Sequence, residues 1–162
     1  MTQEWTRVET PVGAVIITAD GPAVTVEFAS LLDGPRTGTR RDDLLPGVTA
    51  WVRACLSGRV GPPPLSVPEG APFQKACWEA CRSIPVGETR TYSQLAAMAG
   101  RPTAARAAGS AMRNNPMALL TPCHRVVGAS DLGGYSGVRS MDTPHLRLKS
   151  RILETEQKIA SM

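Results

Sequence analysis

Residues Thr91 to Pro116, TYSQLAAMAGRPTAARAAGSAMRNNP, read as helix, short turn, helix. Thr91 and Gln94 have the spacing of a capping box, and Gly100 suits a helix C-terminus. Beyond Arg101-Pro102, Thr103 is expected to cap a second helix, Ala104 to Asn114. That helix must stop before Asn115, because the residue preceding Pro116 is pushed out of the α region. The outline is that of a helix-turn-helix. In the second helix Ala104, Ala105, Ala107, Ala108, Gly109, Ser110 and Ala111 leave only Arg106, Met112 and Arg113 as long side chains. Such a surface cannot read major-groove base edges as Arg, Asn and Gln do. Either it approaches a groove floor closely while Arg106 projects alone, or its small residues let two helices pack tightly; both readings stand.

Immediately downstream comes Thr121-Pro122-Cys123-His124-Arg125-Val126. Proline on one side and the Asn115-Pro116 turn upstream predict a rigid loop presenting one thiol. A thiol becomes a nucleophile when a base or cation stabilises the thiolate, and His124 and Arg125 supply such groups. Adjacent side chains do not normally face each other, so a water is the expected link between Cys123 and His124. An isolated Cys-His pair would more simply be a buried thiol beside a surface residue; the surroundings argue for Cys123 as nucleophile.

Upstream, Phe73, Ala76, Cys77, Ala80, Cys81 and Ile84 mark an amphipathic helix ended by Pro85 and Gly87, which makes Cys77 and Cys81 core residues. Before it, Gly61 to Pro72 contains five prolines and two glycines and reads as a linker. The expected domains are therefore 1–70, a β-hairpin and helix with the linker, and 71–162. In the first, Val12 to Thr18 and the alternating Val24, Val26 and Phe28 flank Asp20-Gly21 as an antiparallel hairpin. Pro46 opens a helix to about Leu56 that packs on the hairpin through Val48, Trp51, Val52 and Cys55. At the other end, Gly128 to Gly137 is a glycine-rich turn and Val138 to Leu148 a polar, basic loop. A last helix places Lys149, Ile152, Leu153 and Glu156 on one face. A carboxylate there needs a buried partner, with His124 the candidate, unless Glu156 lies at the frayed edge of that face.

The chain has 162 residues, net charge +4, four cysteines and two histidines. It is long enough for a substantial core, and no apolar run approaches a membrane span. With a polar N-terminus, a soluble intracellular protein is expected, bacterial-cytoplasmic or nuclear, with free thiols. A zinc site is disfavoured by the shortage of ligands. Between Gln74 and Arg113, Lys75, Arg82, Arg90, Arg101, Arg106 and Arg113 face only Glu79 and Glu88, a local excess that suggests a polyanionic partner.

Together, FQKACWEACRSIPVGETRTYSQLA, AARAAGSAMRNNP, PCHRVVG and GGYSG resemble the alkylguanine-DNA alkyltransferases, also called methylated-DNA-protein-cysteine methyltransferases. The match runs from about Phe73 to Glu156. It implies an α/β protein: a small ribonuclease-H-like sheet and helix domain, then a mostly helical, winged-helix-like DNA-binding domain. It implies transfer of an alkyl group from O6 of guanine in double-stranded DNA to Cys123, once per molecule, with neither metal nor diffusible cofactor. By resemblance His124 deprotonates the thiol through a water, Glu156 orients His124, and Asn115 braces the loop. Met112, Arg125, Val126, Tyr135 and Ser136 would form the pocket for an extruded base. Ala104, Ala105, Arg106, Ala107, Gly109 and Arg113 would enter the minor groove, with Arg106 filling the vacated stack and Tyr92 crowding a phosphate. A monomer is expected.

Two departures stand out. The segment from Val138 to Lys149 is longer than the resemblance leads one to expect, and Thr121 replaces an aliphatic residue, read as minor repacking. Three alternatives remain. A lesion sensor that does not repair would carry tryptophan at the cysteine. A thiol retargeted to a small alkylated molecule would be saturated by the free base. A cysteine hydrolase would need an oxyanion hole and repeated turnover.

Overall fold

The computed structural model describes residues 2–133 and 143–162 and divides the chain into two compact units. The first comprises residues 1–66 and, unexpectedly, 116–120; the second comprises 67–115 and 121–162. The break near Gly70 thus falls slightly earlier, and no contiguous division captures the excursion at 116–120.

In the first unit the hairpin is part of a four-stranded sheet. Strands β1 (Glu4–Thr10), β2 (Gly13–Asp20), β3 (Ala23–Phe28) and β4 (Thr39–Arg40) lie in the order β3-β2-β1-β4. β2 pairs antiparallel with both neighbours, and β4 runs parallel to β1. Strand begins at Glu4, earlier than Val8, where the sequence starts to read as strand; the Glu, Arg and Thr residues of β1 obscure its alternation. The β2–β3 turn places Gly21 at φ 60°, a left-handed conformation that suits glycine. Val15, Ile17, Val26 and Phe28 are buried, as are Val48 and Val52 of α1 (Pro46–Ala54). Helix α1 packs against β1. The returning segment then joins β3: Val26 N–H donates to Pro116 O at 2.8 Å and Ala118 N–H to Val26 O at 3.0 Å. Met117, Leu119 and Leu120 are buried.

The second unit is mostly helical. It contains α2 (Pro72–Arg82), β5 (Arg90–Thr91), α3 (Tyr92–Met98), α4 (Ala105–Arg113), β6 (Val126–Val127) and α5 (Pro144–Ala160), with β5 and β6 paired parallel. The capping box is formed: Thr91 Oγ1 accepts from Gln94 N–H at 3.1 Å and Gln94 Oε1 from Thr91 N–H at 2.8 Å. Gly100 follows at φ 94°. Thr103 does not cap the next helix; Ala104 holds the N-cap position without a side-chain bond.

Cys77, Trp78, Cys81, Leu95, Ala108, Ala111, Met112 and Val126 form one core cluster. Trp78 Nε1 donates to Ala111 O at 2.9 Å, fastening α2 to α4. The alanines of α4 are thereby divided between jobs, since Ala108 and Ala111 pack inward while Ala107 is exposed. The last helix begins before Lys149: Thr143 Oγ1 accepts from Leu146 N–H at 3.2 Å and Pro144 occupies the first turn. Residues 144–148, expected as loop, are therefore helical, as proline at a helix start permits.

Candidate active site

A short 3-10 turn, Cys123–Arg125, carries the reactive motif. Pro122, with φ −80° and ψ 67°, forms an inverse γ-turn closed by Cys123 N–H donating to Thr121 O at 2.8 Å. Asn115 Nδ2 donates to the same carbonyl at 2.8 Å. The two sides of the 116–120 excursion are thereby tied together just ahead of the cysteine.

Of the four free cysteines, Cys123 alone is partly exposed; Cys55, Cys77 and Cys81 are buried. Burial pushes the Cys81 thiol well up, as an inert core thiol should behave. Dense surroundings also push the Cys123 thiol up. A hydrogen bond from the Asn115 side chain and the nearby Lys149 charge pull it back. Cys123 therefore needs a proton acceptor.

His124 is 1% exposed, and Glu156 is nearly as buried. His124 Nε2 lies 2.9 Å from Glu156 Oε1. The two are close enough for strong charge coupling, but the carboxylate is off the N–H axis. Neither ring nitrogen has a well-aligned hydrogen bond among the described residues. Burial pushes the imidazole down, against the pull of Glu156, so His124 is neutral at pH 7. Burial alone would raise Glu156, but contacts with His124 and Arg125 overcome it and hold the carboxyl at about 2.

The Arg125 side chain turns towards α5. Its Nε and Nη2 both reach Glu156, Nη2 at 2.6 Å, and Nη1 donates to Ile84 O at 2.6 Å. With its planar fork engaged, Arg125 braces the carboxylate. The Lys149 charge pulls the Cys123 thiol down against the effect of burial; sequence reading placed Lys149 on the helix face but gave it no role. Fully buried, its Nζ donates to Val126 O at 2.8 Å and to Leu132 O. Lys149 and Glu156 lie two helical turns apart on the inner face of α5. The signal available was a lysine repeating with Ile152 and Glu156.

Val126 and Met112 belong to the core on which Cys123 and Tyr92 pack. Tyr92 contacts both α4 and the loop beyond β6: a Cβ on Gly109 would lie 3.8 Å from its ring, and one on Gly133 only 2.8 Å. On α4, Arg106, Ala107 and Arg113 are exposed, and Ala104, Ala105 and Gly109 half-buried. Tyr135 and Ser136 lie outside the described residues. Among the described residues no group of three ligating side chains could hold a metal, and no helix is long and apolar enough to cross a membrane.

Residues 72–158 match the family model described as the DNA-binding domain of 6-O-methylguanine DNA methyltransferase. The chain is 33% identical over 136 residues to a methylated-DNA–protein-cysteine methyltransferase of Methanosarcina acetivorans, covering 79% of this chain and 86% of that one. A protein of the same name from Mycolicibacterium paratuberculosis is 36% identical over 139 residues, covering 83% and 84%. The crystal structure of Mycobacterium tuberculosis O6-methylguanine methyltransferase superposes with a TM-score of 0.77 at 30% identity, covering 96% of this chain and 93% of that one. A second M. tuberculosis structure, in complex with DNA, gives 0.78 at 31% identity, covering 96% and 94%. The site sets a partly exposed cysteine beside a buried histidine and glutamate, on an α/β fold with a helix pair. The chain belongs to the 6-O-methylguanine DNA methyltransferase family.

Proposed function

We propose that this chain performs direct-reversal DNA repair, moving an alkyl group from O6 of guanine in duplex DNA to Cys123 in a single turnover. The observation that carries the reading is the pairing of a partly exposed Cys123 with the buried His124–Glu156–Arg125 network on a chain of this family. His124, neutral at pH 7, accepts the thiol proton through a water. The Glu156 carboxylate stabilises the resulting imidazolium, and Arg125 holds that carboxylate in place. The Lys149 charge and the Asn115 amide favour the thiolate.

The thiolate sulfur then attacks the alkyl carbon. As the S–C bond forms, the C–O6 bond breaks and its electron pair stays on O6. Guanine regains its carbonyl form on taking up a proton, and Cys123 becomes a thioether. Nothing in this scheme regenerates the thiol, so the stoichiometry is one.

The lesion must leave the stack to reach the thiol in line. The exposed, small-residue face of α4 suits close approach to the minor groove, with Arg106 placed to fill the gap and Tyr92 beside the backbone. Val126, Tyr135 and Ser136 are assigned to the extruded base. The reading puts the protein wherever the cell keeps its DNA, and free thiols suit that reducing compartment.

Intact mass after incubation with duplex DNA containing O6-methylguanine is the test. Wild type gains one methyl group and stops; Cys123→Ser gains none while still binding DNA. Repeated turnover, or no gain despite tight binding, would refute the proposal.

A further inference from the structure

Thr121 is 1% exposed, and a buried hydroxyl is costly unless it is hydrogen-bonded. Its partner comes from far along the chain: Arg82 Nε, at the end of α2, donates to Thr121 Oγ1 at 3.0 Å. The Thr121 carbonyl meanwhile accepts from Asn115 Nδ2 and from Cys123 N–H, each at 2.8 Å. Thr121 is thus held through both side chain and backbone. Only Pro122, whose φ is fixed by its ring, separates it from the reactive cysteine. On the far side of the cysteine, Arg125 Nη1 reaches Ile84 O at 2.6 Å. The segment Arg82–Ile84 therefore grips the loop before and after Cys123.

We propose that Arg82 and Thr121 are positioning residues for the acceptor thiol, their hydrogen bond setting the γ-turn that aims Cys123 Sγ at the alkyl carbon. The inference rests on Cys123 as acceptor. Displacement at carbon needs sulfur, carbon and oxygen in line, and a misplacement of about 1 Å can cost roughly 100-fold in rate. A buried hydroxyl serving stability alone would leave the rate of transfer untouched.

The experiment compares Thr121→Val, which keeps the shape and removes the acceptor, with Thr121→Ser, which keeps the hydroxyl. Single-turnover methyl transfer is measured at saturating O6-methylguanine duplex, alongside the Kd for DNA. Thr121→Val is expected to slow transfer roughly 10-fold without changing Kd, while Thr121→Ser stays within about 2-fold of wild type. Arg82→Lys, which lacks the Nε donor, should match Thr121→Val, and the double variant should be no slower than the slower single one. Should Thr121→Val fail to fold, Arg82→Lys carries the same expectation.

A wild-type rate in Thr121→Val or Arg82→Lys would overturn the proposal. Equal losses in Thr121→Val and Thr121→Ser would do the same, as would additive losses in the double variant. If wild type itself takes no methyl group, it is the function that falls. The same ordering of variants is then read in the rate at which iodoacetamide alkylates Cys123, where no difference among them overturns the positioning role.

Discussion

Helix α4 turns Ala108, Ala111 and Met112 inward and leaves Arg106, Ala107 and Arg113 outside, whereas α5 folds with Lys149 and Glu156 among its most buried residues. Small side chains on α4 keep its outer surface thin, so a bulky polyanion can come close, and its charges cost little because water solvates them. On α5 each charge must find partners from the folded chain. Lys149 finds two carbonyls; Glu156 finds His124 and Arg125. The difference teaches that the proposed function asks opposite things of the two helices: binding through what α4 leaves out, chemistry through what α5 buries.

The sharpest way to break this contrast is Glu156→Gln. Removing the carboxylate strands the Arg125 guanidinium, and breaking a buried pair in this way costs about 3–5 kcal/mol. A matching fall in the urea midpoint is expected, together with transfer slowed by on the order of 100-fold, the usual scale for losing acid-base support. Retention of both would remove α5 from the mechanism.

Acid does the same more gently. His124 and Glu156 are both held below their ordinary values, so the unfolded chain binds protons that the folded chain refuses. Stability should therefore decline as pH falls below the ordinary histidine value of 6.5 and further from 4.5 towards 2. The loss amounts to a few kcal/mol in all. Urea midpoints measured from pH 8 to pH 3 check the sign, and a flat profile in Glu156→Gln below pH 4.5 would assign the acid limb.

The smallest effect belongs to the other helix. Arg106→Ala should leave stability unchanged and slow transfer from duplex DNA roughly 10-fold, with little change towards the free alkylated base. Equal losses on the two substrates would remove Arg106 from base extrusion.

How much of this was legible depended on whether a residue's role is local. The capping box at Thr91 and Gln94 could be read because both partners lie within one turn. The core positions of Cys77 and Cys81 followed from helical period. The nearness of Glu156 to His124 was legible only because a carboxylate on an apolar face demands a partner. The reach of Arg125 to Glu156 was not legible, because nothing local says which way a guanidinium in a tight turn will extend. The lysine at 149 could be placed on the inner face of the last helix, but its partners, the carbonyls of Val126 and Leu132, lie on another part of the chain and were not legible. Thr121 looked like minor repacking because its partner lies on another element. The excursion at 116–120 was invisible for the same reason, and the start of strand β1 because charged residues blur its alternation.

That excursion has a consequence for how the protein is made. Strand β3 is the edge of its sheet, and the segment that covers it is synthesised only after α2, α3 and α4. Until then Val26 presents unpaired backbone groups and the sites of Met117, Leu119 and Leu120 stay unfilled, the state in which an edge strand is most prone to join another chain. A translational pause before residues 116–120 have emerged from the ribosome should therefore be more hazardous to the nascent chain than one after they have emerged.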